Sequence, residues 1–147
     1  MPVLVCISIV ILDQIVKFYI QSMMLVGMSI PVVADVFHIT YILNPGAAFG
    51  ILENQRMFFI LIGTAILCAA IYFYSYIKKE NVFIRYGVSM LLGGAVGNLI
   101  DRVRIGYVID FFDFRIWPIF NIADIAIVVG VGCIVYSVLF SNKLKWE

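Results

Sequence analysis

The chain of 147 residues is 64% hydrophobic and only 13% charged, with a mean hydropathy of +1.09. Soluble domains have an apolar share of about 45–50%, so this composition excludes an ordinary soluble protein and indicates an integral membrane protein. The formal net charge is +1, which implies no nucleic acid or other polyanion as a partner.

Four apolar runs divide the chain, and each has about 20 residues, the length that crosses about 30 Å of hydrocarbon. They lie at about 2–24, 57–77, 84–103 and 122–141. The predicted fold class is an all-α integral membrane protein with four transmembrane helices. Residues 1–147 show no internal repeat and no linker, so we expect a single membrane domain. The first run lacks a basic leader and a small-residue cleavage site, so we expect it to be retained as a helix.

Two charged side chains interrupt the first predicted helix. Asp13 and Lys17 are four residues apart, so on a helix they share one face and their charges can meet. A charge at the centre of a bilayer costs about 2.5–3.5 kcal/mol on insertion scales, so a retained charge usually has a role. A structural ion pair that locks this helix to its neighbours is favoured, with direct participation in chemistry as the alternative.

Two long segments between the predicted helices have a different composition. Residues 25–56 and 104–120 are rich in β-branched and aromatic residues, and the stretch NPGAAFGIL breaks the first of them with Pro-Gly. They predict a small extramembrane β platform in which the two segments pair. Their aromatic residues fit either an interfacial belt at the headgroup level or a surface that faces a substrate.

The distribution of basic residues predicts the orientation in the membrane, because lysine and arginine concentrate in cytoplasmic loops. Lys78, Lys79 and Arg85 flank the loop between the second and third helices, and Lys143 and Lys145 follow the fourth helix. We therefore expect both termini in the cytoplasm and the β platform on the outer face.

Polar residues collect where the third predicted helix ends and the fourth begins. Asn98 and Asp101 are three residues apart, with Arg102 beside them, so they form a polar notch on one helix face. Asn121 and Asp124 repeat this spacing at the start of the fourth helix. There they resemble a capping box, which is a purely structural alternative for this pair.

The carboxylates at one membrane depth are Asp101, Asp110, Asp113 and Asp124. Crowded carboxylates in a poorly solvated site cannot all ionise, so a close pair shares a proton. Such a pair activates water without a metal, because one member acts as general base and the other protonates a scissile carbonyl oxygen. The residues therefore favour an aspartic hydrolase. A small transporter or proton-conducting subunit and a structural assembly subunit are the alternatives.

The sequence contains no pattern typical of a metal or cofactor site. Cys6, Cys68 and Cys133 lie in three different apolar runs, and His38 is the only histidine. Neither a disulfide framework nor a metal site is predicted, and no Ser-His or Cys-His catalytic set is available. We expect no cofactor and no metal.

Five motif blocks support a more specific interpretation. They are DQIVK at 13–17, NPGAAFGIL at 44–52, GGAVGNLIDRV at 93–103, GYVIDF at 106–111 and FNIAD at 120–124. In order and spacing, the blocks resemble those of bacterial lipoprotein signal peptidase, or signal peptidase II, over essentially the whole chain. The resemblance implies a membrane aspartic endopeptidase that cleaves the signal peptide of a prolipoprotein just before its diacylglyceryl-modified cysteine.

The resemblance also assigns roles position by position. Asp110 and Asp124 match the catalytic dyad of the family. The residues that match positions lining the site are Asn44, Asn98, Asp101, Arg102 and Asn121. Asp13 and Lys17 match a structural motif of the first helix, and Asp113 matches no essential position.

The location and partners of the protein follow from the same resemblance. It implies a multi-pass protein of the bacterial cytoplasmic (inner) membrane, with its active site toward the outer, periplasmic face. The implied partners are diacylglyceryl-modified prolipoproteins and membrane lipids. We expect a monomer.

Overall fold

The computed structural model describes residues 2–46, 52 and 55–140 and is mostly helical. Its helices are α1 (Pro2–Met23), α2 (Arg56–Tyr72), α3 (Tyr74–Ile77), α4 (Val82–Arg104) and α5 (Ile122–Phe140). Its strands are β1 (Ser29–Val33), β2 (Phe37–Asn44) and β3 (Val108–Asp113). The predicted positions that lie outside the described residues are 47–51 of the NPGAAFGIL block, the end of the fourth helix at 141, and Lys143 and Lys145.

Three helices, α1, α4 and α5, are long and apolar enough to cross a membrane, as expected for an integral membrane protein. The second predicted helix, 57–77, is instead divided at Phe73 into α2 with 17 residues and α3 with 4 residues. At 1.5 Å per residue, α2 is about 26 Å long, which is less than the about 30 Å of a hydrocarbon core. The described helices therefore provide three candidate spans, one fewer than the sequence predicts.

Helix α4 is central, because α1, α2 and α5 each pack against it. Glycines permit this close approach. A Cβ atom added at Gly87 would lie 2.7 Å from the carbonyl oxygen of Gly130 on α5, and one at Gly97 would lie 2.6 Å from Oδ2 of Asp13 on α1. Small residues on α4 thus let α5 pack closely along it and bring Asp13 of α1 against its polar end.

The predicted β platform is present as a three-stranded antiparallel sheet in the order β1-β2-β3. The pairing of β2 with β3 joins the two extramembrane segments, as expected from their composition. Asn44 lies opposite Val108 and Ile42 lies opposite Asp110, after a register shift between Ile39 and Ile42. One face of the sheet packs on the end of α1, in an apolar cluster formed by Ile20, Met24, Tyr41, Ile109 and Phe111. This docking places the ends of β2 and β3 next to the polar end of α4.

Candidate active site

Asp110 lies on β3 and is held by the neighbouring strand. Its side chain is only 1% exposed, and Asn44 at the end of β2 donates from Nδ2 to its Oδ2 over 2.9 Å. The backbone N–H of Gly46 donates to Oδ1 of Asn44 over 2.9 Å, which turns the asparagine nitrogen toward the acid. Strand pairing thus brings together two motif blocks that are far apart in the sequence.

Asp124 lies in the first turn of α5 and forms a capping box with Asn121. Its backbone N–H donates to Oδ1 of Asn121 over 2.9 Å, and its Oδ2 accepts the backbone N–H of Asn121 over 3.2 Å. The capping box that the sequence predicts as a purely structural role for this pair is therefore present in the molecule. It involves only one oxygen of the acid, because Oδ1 of Asp124 accepts a hydrogen bond of 2.8 Å from Nδ2 of Asn98 on α4.

Asn121 connects the two acids. This fully buried residue donates from Nδ2 to Oδ1 of Asp110 over 2.6 Å, while its own Oδ1 holds the backbone N–H of Asp124. Each of the four carboxylate oxygens of the pair accepts one hydrogen bond from an asparagine. Three of these bonds come from side-chain amides, and the fourth comes from the backbone N–H of Asn121. Since amides do not titrate, they orient the acids without exchanging protons with them.

The environment of Asp110 favours its protonated form. Burial raises the pKa of Asp110 to about 7, and the negative charge of Asp124 acts in the same direction. Hydrogen bonds from Asn44 and Asn121 and the charge of Lys17 oppose the rise without cancelling it. An acid with a pKa near neutrality both holds and releases a proton in ordinary conditions, as general acid–base catalysis requires.

Asp113 belongs to a different polar group. It accepts hydrogen bonds from Oγ1 of Thr40 over 2.7 Å and from the backbone and guanidinium of Arg115, each over 2.9 Å. Burial acts to raise the pKa of Asp113, but the hydrogen bonds from Thr40 and Arg115 outweigh it and hold that pKa below its usual range. The two acids on the same strand, Asp110 and Asp113, thus have opposite pKa shifts.

Lys17 forms the centre of a buried charged cluster behind the acid pair. Its Nζ lies 2.8 Å from Oδ2 of Asp13 and 2.7 Å from Oδ2 of Asp101, and it donates to Oδ1 of Asn98 over 3.0 Å. The contact between Asp13 and Lys17 is the one that their spacing allows. Oδ1 of Asp13 also accepts the backbone N–H of Ala123 over 3.0 Å, which joins α1 to the first turn of α5.

Gln14 is not among the predicted site residues, yet it lies within this cluster. Its Nε2 is 3.0 Å from Oδ1 of Asp101, 3.3 Å from Oδ2 of Asp13 and 3.2 Å from the carbonyl oxygen of Gly97. A donor between two carboxylates reduces their repulsion. The signal in the sequence is a polar side chain next to Asp13 in the middle of an apolar run. A polar residue at such a position in a membrane helix usually has a hydrogen-bond partner, because burying it unpaired in the bilayer is costly.

Arg102 lies at the end of α4, beside the acids. Its guanidinium donates to the carbonyl oxygen of Gly46 over 2.9 Å and lies 4.4 Å from the ring centroid of Phe59 on α2. Arg56, the first residue of α2, donates from Nε to the carbonyl oxygen of Arg102 over 2.8 Å. Neither Phe59 nor Arg56 is predicted as a site residue, because an aromatic residue in an apolar run and an arginine at its end are both common.

A cavity of about 470 Å³ opens beside the acid pair. The polar side chains that line it are those of Asn44, Asn98, Arg102, Asp110 and Asp124. Its apolar wall includes Trp117, Ile125 and Val128, and Val128 is 70% exposed on α5. The cavity therefore joins buried Asp110 and half-buried Asp124 to a surface of α5 that is apolar and open to the side.

The described residues suit water activation by carboxylates. In the ranges 2–46, 52 and 55–140, no group of three or more His, Cys, Asp or Glu side chains is arranged to hold a metal ion. Two acids with four oriented oxygens next to a cavity can bind one water molecule and a carbonyl group between them.

Comparison with known proteins identifies the family. A family described as signal peptidase (SPase) II matches residues 5–140. The chain belongs to the signal peptidase II family. The lipoprotein signal peptidase of Halothermothrix orenii is 44% identical over 144 residues, which cover 98% of this chain and 99% of that protein. That of Caldanaerobacter subterraneus is 43% identical over 147 residues, with 99% and 100% coverage.

Two solved structures described as bacterial membrane enzymes share the fold of this signal peptidase II. One has a TM-score of 0.90 and 39% identity and covers 99% of this chain and 92% of its own. The other has a TM-score of 0.82 and 40% identity, with 95% and 92% coverage. The family predicted from the five motif blocks is confirmed. This signal peptidase II is an aspartic endopeptidase and an integral membrane protein.

Proposed function

We propose that the enzyme cleaves the signal peptide of prolipoproteins just before the diacylglyceryl-modified cysteine, and that Asp110 and Asp124 activate the water. The substrate class is supported by relatives named lipoprotein signal peptidase that match over nearly their full length. The dyad is supported by one contact above all. The buried amide of Asn121 donates to Asp110 over 2.6 Å and accepts the backbone N–H of Asp124 over 2.9 Å, so one side chain orients both acids.

In this proposal Asp124 is the general base and Asp110 the general acid. Asp124 lies in the first turn of α5, where the helix dipole and the backbone N–H of Asn121 stabilise a negative charge. Asp110 lies on a strand, where burial favours its protonated form. Asp124 takes a proton from water as the water oxygen attacks the scissile carbonyl carbon, and Asp110 gives its proton to the carbonyl oxygen. The C–N bond then breaks as the leaving nitrogen receives a proton from Asp124, and one hydroxyl group of the tetrahedral intermediate returns a proton to Asp110, which gives the carboxylic acid product and restores both aspartates.

The cavity suits a peptide whose lipid remains in the bilayer. Asn44 and Arg102 line its polar end and are proposed to bind the extended peptide backbone. In this structure Arg102 already donates to a backbone carbonyl, that of Gly46. Ile125 and Val128 continue the cavity along the exposed face of α5, where the diacylglyceryl chains are proposed to lie.

The lipid is expected to determine the cleavage rate, because it fixes which peptide bond reaches the acids. The test uses purified enzyme with one prolipoprotein in two forms, with and without the diacylglyceryl group, and measures cleavage by gel shift and product mass. We expect efficient cleavage of the modified form only, and the same rate in excess EDTA. Equal rates for the two forms would contradict the role of the lipid, and no cleavage of either would overturn the proposed function.

The rate is also expected to decrease above pH 7. The pKa of Asp110 is raised to about 7, so its protonated form dominates below that pH and its ionised form above it. Loss of the single proton of the general acid lowers the rate by about tenfold per pH unit on the alkaline side. The measurement is kcat/KM from about pH 5 to pH 9, and a bell-shaped profile would report two pKa values of the coupled pair. A rate that stays constant to pH 9 would contradict the assignment of Asp110.

For the membrane, we propose a single domain over residues 1–147 with four spans, the second formed by α2 and α3 together. The packing of α2 next to α4 and the continuous apolar run over 57–77 support this count. The protein is proposed to be a monomer in the bacterial inner membrane, with the acids toward the periplasm and both termini in the cytoplasm. Reporter fusions at His38 and Asn81 are expected to give opposite signals, and identical signals would contradict this topology.

A further inference from the structure

We infer that Lys17 is a positioning residue for the catalytic pair, since it fixes the side chain of Asn98 so that its amide nitrogen points at Asp124. The inference rests on the proposed role of Asp124. The chain of contacts is short. Nζ of Lys17 donates to Oδ1 of Asn98 over 3.0 Å, and Nδ2 of Asn98 donates to Oδ1 of Asp124 over 2.8 Å.

The ammonium group of Lys17 has an acceptor for each of its donors. Two of them are the carboxylates of Asp13 and Asp101, at 2.8 and 2.7 Å, and they supply the negative charge that a buried cation needs. The third is the neutral oxygen of Asn98. This third contact satisfies the remaining N–H donor, and because it adds no charge compensation, its effect is on the orientation of Asn98.

The side-chain amide of Asn98 has two ends of nearly equal size, of which one only accepts and the other only donates hydrogen bonds. An ammonium group has donors and no acceptor, so only the oxygen end can face Lys17. The reversed amide would place two donors together at Lys17 and two acceptors together at Asp124. Nδ2 of Asn121, at 3.1 Å from the same oxygen, favours the same orientation. Oδ1 of Asp124 therefore receives a donor of fixed direction.

The intervening amide also keeps the positive charge away from the base. A lysine in direct contact with Asp124 would form a strong charge-assisted hydrogen bond and reduce the capacity of that carboxylate to accept a proton. Through Asn98, Lys17 controls the direction of the hydrogen bond and polarises the amide, without pairing directly with the acid. Lys17 thus has a geometric role in addition to its role as a counterion.

Two variants separate the geometric role from charge compensation. Asp13→Asn retains the contact between Lys17 and Asn98. The double variant Asp13→Asn/Lys17→Met removes that contact and, because it deletes one negative and one positive charge, keeps the net charge of the cluster. At matched amounts of folded protein, we expect the double variant to have a kcat about 10- to 100-fold below that of Asp13→Asn, which retains the contact, and below that of the wild type, which has the same cluster charge. KM should change little, because Lys17 lies behind the acids and does not line the cavity.

Equal kcat values for these two variants would overturn the inference. If the double variant does not fold, Asp101→Asn/Lys17→Met is compared with Asp101→Asn, because this pair removes the same contact of Lys17 with Asn98 and retains Asp13 in place of Asp101. A lower kcat for Asp101→Asn/Lys17→Met would support the inference, and equal kcat values would overturn it. Asp124→Asn is assayed alongside. Turnover above about a tenth of the wild-type value for Asp124→Asn, a barrier change below about 1.4 kcal/mol, would refute the proposed role of Asp124. An inactive Asp124→Asn with equal kcat values in the two test variants would refute only the role of Lys17.

Discussion

Asp110→Asn and Asp124→Asn are each expected to lower kcat by about a thousandfold or more, while the protein still folds. An amide neither takes a proton from water nor gives one to a carbonyl oxygen. Asparagine has nearly the same shape as aspartate, and losing the acid in the capping box of α5 costs about 1 kcal/mol or less. Single-turnover cleavage and thermal melting in the same detergent measure the two effects separately.

The double variant Asp110→Asn/Asp124→Asn is expected to be hardly less active than either single variant, because residues that act as a unit give strongly non-additive losses. If the two losses instead multiply, the acids act independently and do not form a dyad. If either single variant fails to fold, the capping and strand contacts of that acid contribute more to stability than the geometry of the site indicates.

The second large effect concerns stability. Lys17→Met is expected to lower the free energy of unfolding by about 3–5 kcal/mol, because it leaves a buried ion cluster without its cation. Asp13 and Asp101 would both remain buried without a positive partner. Asp13→Asn should cost less, because Lys17 keeps its contact of 2.7 Å with Asp101.

Folded yield and melting temperature in detergent test this order of stability. Lys79→Met is the matched control, since Lys79 is exposed. Wild-type and Lys79→Met protein should melt together, Asp13→Asn should melt lower, and Lys17→Met should melt lowest or fail to accumulate. Equal melting temperatures for Lys17→Met and Lys79→Met would show that the cluster does not stabilise the fold.

The sequence predicts α1, α4 and α5 well, because each is a continuous apolar run of membrane length. It does not predict the break at Phe73, since the residues around it, IYFYSYI, contain neither proline nor glycine. The division of this run depends on backbone conformation and packing, which a periodic pattern does not encode.

The sequence predicts which two segments form the sheet, but it does not predict the register in which their strands pair. β-branched and aromatic composition identifies the two segments that pair, yet the irregularity between Ile39 and Ile42 decides which residue of β2 lies opposite Asp110. That register, together with the turn at Gly46, directs Asn44 to the acid. Side-chain spacing alone does not reveal such a contact.

The site residues were predicted largely through the motif resemblance. Spacing along single helices predicts the contact of Asp13 with Lys17 and the capping box of Asn121 with Asp124. It cannot show that Asn121 also reaches Asp110, because the two residues lie on different elements. Gln14 follows Asp13 directly in the sequence, but its contact with Asp101 on α4 becomes evident only when the two helices are packed together.

The most direct test of the proposed dyad compares Asp124→Asn with Asp113→Asn, at matched folded protein and with the diacylglyceryl-modified prolipoprotein. Both substitutions remove a carboxylate on the same side of the molecule, but the hydrogen-bond partners of Asp113 among the described residues are Thr40 and Arg115. We expect Asp113→Asn to keep most of its turnover and Asp124→Asn to lose nearly all of it. An inactive Asp113→Asn would contradict the assignment of the catalytic pair. So would an Asp124→Asn that retains more than about a tenth of wild-type turnover, a barrier change below about 1.4 kcal/mol.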